Sequence, residues 1–468
     1  MEFSMGFMIR RANIMSTGKI VNIIGGGLAG SEAAYQLARR GISVRLFEMR
    51  PQRLTPAHTG GGLAELVCSN SFKSTAPHAA HAGFKQELAA LGSLLMKCAP
   101  RAQVPAGDAL AVDRDVFSRE IEKEVLATGL VERITAEVGD LSGLPPAAAT
   151  IVATGPLTQG ALADFIRSLS GGHGLYFYDA IAPVIAADSI DRSIAFAASR
   201  YGRGGDDYLN CPFSKEEYDG FYDALMGAEK MDFQDFEEAK YFQGCQPIEA
   251  IAATGRDTLR FGPMKPVGLT DPRTGREPYA ALQLRIDNLS RSAYNLVGFQ
   301  TKLKYGEQSR IFRLIPGLES AEFLRLGSMH RNTYICSPLV LGPDFALKAR
   351  PEVLITGQVT GVEGYTESSA VGLLAALALT ARLEGRPWLL PPADSFLGAL
   401  CRYIFESDPK EFQPINVHFG LFAEGVFNVP RKDASGRRLG KNDIRALMVT
   451  EAVSRLIKWR DECGWQPL

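Results

Sequence analysis

The sequence predicts an α/β fold, a Rossmann-like sheet domain interrupted by an inserted α+β domain. Three observations predict it: a strand, glycine turn and helix near the start, a second such unit beginning near residue 352, and a change of composition between them. The 468 residues exceed what one hydrophobic core usually holds, and 46% apolar with 22% charged residues is ordinary globular composition. Two lobes are therefore expected: a discontinuous cofactor domain over 19–202 and 332–468, and a substrate domain over 203–331. The first stretch, "MEFSMGFMIRRANIM", has no apolar core followed by a small-residue cleavage site, so 1–18 is expected to be a loose extension, with Met15 as an alternative start.

The first unit is "KIVNIIGGGLAGSEAAYQLARRGISVRLFEMR", residues 19–50. Ile20 to Ile24 suits a buried parallel strand, and Ser31 to Arg40 has helical composition ending at Gly41. The turn between them, Gly25, Gly26, Gly27, Leu28, Ala29 and Gly30, contains GxGxxG. Glycine allows a tight turn at Gly25, close approach of a pyrophosphate to the backbone at Gly27, and close helix packing at Gly30. The helix N-terminus then faces the phosphates. A second strand, Val44 to Phe47, ends at Glu48, whose carboxylate can accept hydrogen bonds from ribose hydroxyls; Arg50 follows it.

Two later elements point to FAD. "ATIVATGP" (149–156) is a strand running into a turn at Thr154 and Gly155, and 352–385 reads as a strand, a turn holding Gly357, Gln358, Gly361 and Val362, and a long helix. FAD is long enough to need such a distant second element, with a helix N-terminus toward the flavin's anionic edge. Many flavoproteins place an acid after the glycine of this second motif. Gln358 stands there, so an amide contact is expected instead. The architecture is thus a Rossmann-like FAD-binding domain of the two-dinucleotide-binding type, and the competing reading of the second unit is an ordinary buried helix hairpin.

The middle of the chain is richer in aromatic and charged residues. Lys and Arg number 51 against 52 Asp and Glu, so a polyanion has to be met by a local patch. In 285–313, six basic residues against two acids include Arg285, Lys302, Lys304 and Arg310, with Tyr294, Phe299, Tyr305 and Phe312 interleaved, a composition suited to phosphate contact and base stacking. Residues 431–445 repeat the same charge count. A solvated charged surface with core-facing aromatics is the alternative for either patch.

Seven cysteines, at 68, 98, 211, 245, 336, 401 and 463, form no CxxC pair and fit neither a disulfide framework nor a zinc site, which predicts a reducing cytoplasmic setting and no metal. No stretch is apolar enough to span a bilayer. A free cysteine is usually a small buried hydrophobe. Cys68 differs because it follows the nucleotide unit, and Cys245 because Gly244 and Pro247 hold it in a turn.

The segments "GGGLAGSEAAYQLARRG", "AELVCSNS", "SRYGRGGDDYLNCP", "GCQPIE", "FGPMKPVGL", "YNLVGFQTKLKYGEQ", "MHRNTYI" and "TGQVTGVEGYTES" together resemble the bacterial folate- and FAD-dependent tRNA (uracil-5-)-methyltransferases, from about residue 19 to about 425. Gly60 to Leu63 and the basic tail after 430 depart from that pattern. The resemblance implies formation of 5-methyluridine at position 54 of the tRNA T-loop, with carbon from 5,10-methylenetetrahydrofolate and reducing equivalents from NADH or NADPH through FAD. It implies that Cys245 resembles the nucleophile that adds to uracil C6 and Cys68 its partner as base or protecting thiol, with Glu363 and Tyr365 near the flavin. A glutamate capping the next helix is the competing reading of Glu363. The related wobble-uridine flavoprotein carries a long helical C-terminal domain for its GTPase partner. This chain ends before one, so no obligate protein partner is expected. Three functions remain open on sequence: methyl transfer to tRNA or to a ribosomal RNA uridine, a flavin-dependent thiol oxidoreductase, and a flavin-bearing RNA-binding protein without turnover.

Overall fold

A computed structural model describes residues 19–158, 160–169, 175–202, 205–231 and 246–465. The expected extension 1–18 and Cys245 lie outside the described residues.

The chain enters the first sheet with β1 (Ile20–Ile24), crosses through α1 (Leu28–Arg39) and returns on β2 (Ser43–Glu48). After α2 (Ala80–Ala90) and α3 (Arg114–Ala127) come β3 (Val131–Thr135) and β4 (Ala149–Val152). A second sheet follows, made of β5 (Val184–Ala186), β6 (Phe196–Ala197), β7 (Tyr208–Phe213), β8 (Ala280–Ile286), β9 (Ala293–Leu296) and β10 (Phe323–Arg325), with α4 (Tyr305–Phe312) before its last strand. The chain then rejoins the first sheet with β11 (Ala346–Leu347) and β12 (Arg350–Ile355), and α5 (Tyr365–Glu384), α6 (Phe396–Glu406) and α7 (Lys441–Glu462) complete the molecule.

The first sheet has the order β11-β12-β4-β1-β2-β3. Its β1, β2, β3, β4 and β12 pair in parallel, and β11 is the antiparallel edge. Both faces are covered, which is why β1 reads as an apolar run without alternation. The second sheet, β6-β7-β8-β9-β5-β10, is antiparallel and has a core of its own. Its strands lie on both sides of residue 203. The ribbon Leu175–Ala180 with Met329–Tyr334 joins the two units.

Helix α5 is the long buried helix expected after the second glycine turn; it lies against α1 so closely that a Cβ at Gly372 would come 2.3 Å from the Ala29 carbonyl oxygen. Ser369 Oγ on α5 donates to Glu32 on α1 at 2.8 Å, and Glu32 also accepts from Ser93 Oγ and the Leu94 and Leu95 N–H groups. Buried carboxylates thus serve as helix caps in trans.

Glu87 on α2 does the same for α6, accepting from the Phe396 and Leu397 N–H groups at 2.8 Å each. Burial raises its pKa from 4.5 to about 8, against the pull of those two donors. The native state therefore keeps a proton that the unfolded chain loses first. The resulting stability is fully present below pH 4.5 and declines as pH rises toward 8. Glu87→Gln, which cannot ionise, is expected to flatten that decline in denaturant midpoints measured across this window. An unchanged slope would contradict it.

Candidate active site

Two cavities adjoin where the sheets meet, sharing Val67, Pro156, Leu157, Gln358 and Tyr365 in their walls. The first is a cleft with about 1270 Å³ of empty space, its open mouth included, running along the C-terminal ends of β1, β2 and β4. Gly25, Gly27, Leu28, Ala29, Glu48, Arg50, Thr154, Gly155, Gly357, Gln358 and Tyr365, all expected from sequence, line it.

The glycines act as the turn requires. Gly25 has φ +99, and a Cβ at Gly30 would lie 1.9 Å from the Gly25 carbonyl oxygen, so helix and turn touch through backbone alone. A Cβ at Gly27 would meet no atom within 4 Å, because that position faces the cleft. Gly27 is also the N-cap of α1 without a side-chain cap, which leaves the helix's first turn at the cleft wall.

Gly26 N–H donates to Glu48 Oε2 at 2.8 Å, and Arg50 binds the same carboxylate through Nε at 2.9 Å. Burial opposes ionisation of Glu48, but the Arg50 guanidinium and the two backbone donors hold its pKa below the usual carboxylate range. Glu48 is thus a fixed anion at the end of β2, where a ribose would lie. Two residues of the second turn stand behind the wall: Val362 is fully buried in the core, and Gly361 packs against Phe412.

Gln358 Nε2 donates to Glu363 Oε2 at 2.6 Å, so the acid missing after Gly357 is brought back five residues later. The N-cap position of α5 is Gly364, the residue after Glu363. Both Gln358 and Glu363 line the second cavity.

That cavity is also lined by Cys68, Lys73, Arg285, Gln300, His330 and Tyr365. Cys68 is half-buried and free. Its backbone is held from three directions: its N–H donates to Tyr365 Oη at 2.7 Å, and its carbonyl accepts from Arg114 at 3.0 Å and Arg325 at 3.1 Å. Arg114 is fixed in turn by Asp287 at 2.7 Å. Burial, then the Cys68 thiol, push the Tyr365 pKa well above its usual value, so the phenol keeps its proton. His330 is pushed down by burial and by Arg325 and stays neutral. The other described cysteines are packed differently: burial raises the thiol pKa of Cys98 to about 12 and moves Cys211, Cys336, Cys401 and Cys463 upward too.

Ile248, three residues after Cys245, is hydrogen-bonded to the backbone of Gln300, a residue of the cavity wall. Ile248 N–H donates to the Gln300 carbonyl at 2.7 Å, and the buried Glu249 accepts from Thr301 Oγ1 and the Lys302 N–H.

The basic stretch divides. Arg285 is no surface residue: it is buried on β8, with Nε donating to Asn70 Oδ1 at 3.0 Å, and faces the Cys68 cavity. Lys304 and Arg310 are exposed and paired with Glu229 and Glu307, and Lys302 precedes them. Of the four interleaved aromatics, Tyr294, Phe299 and Phe312 belong to the second core and cannot stack on bases; Tyr305 is exposed. The contacts of Arg114 and Arg325 with Cys68 carry no signal in the local sequence. Among the described residues there is no cluster fit to hold a metal ion and no helix long and apolar enough to cross a membrane.

Comparison with known proteins agrees with this geometry. The family model described as glucose inhibited division protein A matches residues 20–387. The chain is 53% identical over 418 residues to the methylenetetrahydrofolate--tRNA-(uracil-5-)-methyltransferase TrmFO of Geobacter sulfurreducens, covering 89% of this chain and 95% of that one. It is 50% identical over 451 residues to the TrmFO of Desulforudis audaxviator, covering 96% and 100%. Aquifex aeolicus GidA superimposes with a TM-score of 0.67 at 17% identity over 96% of this chain and 74% of that one, which supports the fold. With a family model over most of its length and relatives at half identity end to end, this chain belongs to the TrmFO family of methylenetetrahydrofolate--tRNA-(uracil-5-)-methyltransferases, within the wider GidA group.

Proposed function

We propose that this protein forms 5-methyluridine at position 54 of the tRNA T-loop, using 5,10-methylenetetrahydrofolate, FAD, and NADH or NADPH as reductant. The observation that carries the reading is the junction of a glycine-lined dinucleotide cleft with a cavity lined by Cys68, through the shared residues Gln358 and Tyr365. The Gly27 surface, open to the cleft, and the fixed Glu48 anion fit the adenosine diphosphate half of FAD, and Gly357 and Gln358 stand where its far half would reach. When bound there, FAD supplies one-carbon carriage and reducing equivalents.

The chain's own residues do the rest. Uracil C5 is a weak nucleophile until a thiolate adds to C6, forming the S–C6 bond and moving the C5=C6 electron pair into an enolate. Cys245 is the assigned thiolate. C5 then bonds to the activated carbon; a base removes the C5 proton, that C–H electron pair forms an exocyclic C5=CH2 bond, and the carbon's bond to its carrier breaks with its electrons staying on the carrier. A hydride, which the reduced cofactor would supply, then adds to the CH2 carbon, and the displaced electron pair restores C5=C6 as the Cys245 thiolate leaves. Cys68 is the assigned base. Tyr365, Arg114 and Arg325 fix its backbone, so the thiol is presented at one place in the cavity. Glu363, paired with Gln358, and the protonated Tyr365 orient the reactants and are placed to pass protons.

In this reading 19–202 and 332–468 hold the cofactor, while 203–331 meets the RNA together with β5 and β6, which pair into its sheet. Reversing the charges of Lys302, Lys304 and Arg310 is expected to weaken tRNA binding, flatten its salt dependence and lower methylation, with FAD content unchanged. An unaltered salt slope would move the RNA surface elsewhere. Arg285 is left out of that variant because it is a buried wall residue.

A further inference from the structure

Two quoted motifs remain without a role: "SRYG", residues 199–202, and "RFGPMKPVG", residues 260–268. The fold brings them together. Tyr201 N–H donates to the Gly268 carbonyl at 3.0 Å, and Arg200 donates to the Lys265 carbonyl at 2.6 Å. Tyr201 has φ +60, a left-handed conformation that a tyrosine rarely adopts, and its ring covers Gly268 so closely that a Cβ there would come within 2.8 Å of it.

This effort leaves apolar groups in water. Tyr201 is 58% exposed, Phe261 81% and Val267 42%. Most of the Phe261 ring and more than half of Tyr201 face solvent, so that surface adds nothing to the buried core and is free to meet a ligand. Its neighbours are cationic: Arg200, Arg260 and Lys265 lie in these two segments, which contain no acid. Arg260 is shared with Asp257 at 3.0 Å.

The patch is also tied to the reactive cavity. Two residues beyond Phe261, Pro263 packs against Gly298, where a Cβ would come within 2.7 Å of it, and Gly298 is part of the wall of the Cys68 cavity. Exposed rings with cations and no carboxylate in either segment, on a segment packed against the wall of a cavity that takes a base, match an unpaired RNA nucleotide: the ring offers a π face and the cations meet the backbone.

We infer that Phe261 and Tyr201 form a stacking platform for an unpaired nucleotide of the RNA loop beside the target uridine, with Lys265 at its phosphate. The inference rests on the RNA-modifying reading above and adds to it a surface separate from Lys302, Lys304 and Arg310. It is tested by titrating a T-arm hairpin RNA into the FAD-loaded enzyme at several salt concentrations. Phe261→Ala is expected to weaken binding about tenfold with an unchanged salt slope, because stacking releases no counterions, and Phe261→Trp to restore it. Lys265→Gln is expected to lower the slope by about one. FAD content and thermal midpoint should match wild type in all three. Hairpin affinity of Phe261→Ala within twofold of wild type would overturn the platform while leaving the methyltransferase reading intact. So would normal RNA binding with an altered oligomeric state, which would assign the patch to a second copy of the chain. A wild-type enzyme that binds no hairpin at all would overturn the RNA reading and the platform with it.

Discussion

Cys68→Ser is expected to fold and hold FAD yet lose methyl transfer by at least about a hundredfold, the scale of a missing acid-base group. The fold is safe because the hydrogen bonds that fix residue 68 run through its backbone, to Tyr365, Arg114 and Arg325, so the smaller hydroxyl leaves them in place. The chemistry is not safe, because a hydroxyl at neutral pH is far less ionised than a thiol and neither accepts a proton nor protects an intermediate as well. Cys245→Ser is expected to lose activity to at least the same extent, for want of the nucleophile. Cys98→Ser is the control: that thiol is buried at a helix end with its pKa pushed to about 12, and its loss should leave turnover per folded molecule unchanged. A uracil analogue that traps the C6 adduct identifies the nucleophile directly, since the covalent RNA complex should vanish with Cys245→Ser and persist with Cys68→Ser. Methylation by Cys68→Ser at the wild-type rate would make that residue packing and no more.

Gly27→Val should separate cofactor binding from folding. Gly27 has φ −70 and ψ −169, a conformation open to any residue, and its Cβ direction meets no protein atom within 4 Å. The protein therefore tolerates the side chain, and the space it takes is the space a pyrophosphate needs. The purified variant is expected to be colourless, with a thermal midpoint equal to that of wild type stripped of FAD. Gly30→Val contrasts with it, because a Cβ 1.9 Å from the Gly25 carbonyl oxygen forces the turn and helix apart and should cost the fold itself. Full FAD occupancy in Gly27→Val would place the phosphate site elsewhere.

The parts of the site legible in sequence are those where backbone geometry dictates the residue type. The turn at Gly25 and the helix contact at Gly30 admit only glycine, so the first unit announced its strand, turn and helix, and the second unit did the same around Gly357. Contacts between distant segments left no such mark. Composition groups Arg285 with its basic chain neighbours, but its partner is Asn70, 215 positions away, and it is buried. Tyr294, Phe299 and Phe312 looked like a stacking series because composition does not say which face of a strand or helix meets the core; packing takes all three inside. In sequence Gln358 stands in place of an acid, whereas the turn geometry that sets Glu363 against it is a property of the folded loop. The Arg114 and Arg325 clamp on Cys68 joins a helix of one unit to a strand of the other and could be found only in three dimensions.

The proposed reaction moves a one-carbon unit from folate to C5 of a T-loop uridine. The most direct measurement incubates the FAD-loaded enzyme with unmodified tRNA, 5,10-methylenetetrahydrofolate labelled in its methylene carbon, and NADH or NADPH, then analyses tRNA and ribosomal RNA nucleosides by mass spectrometry. Labelled 5-methyluridine mapped to position 54 of tRNA is the expected result. Label confined to ribosomal RNA, or NAD(P)H consumed with no labelled nucleoside in either RNA, would contradict it.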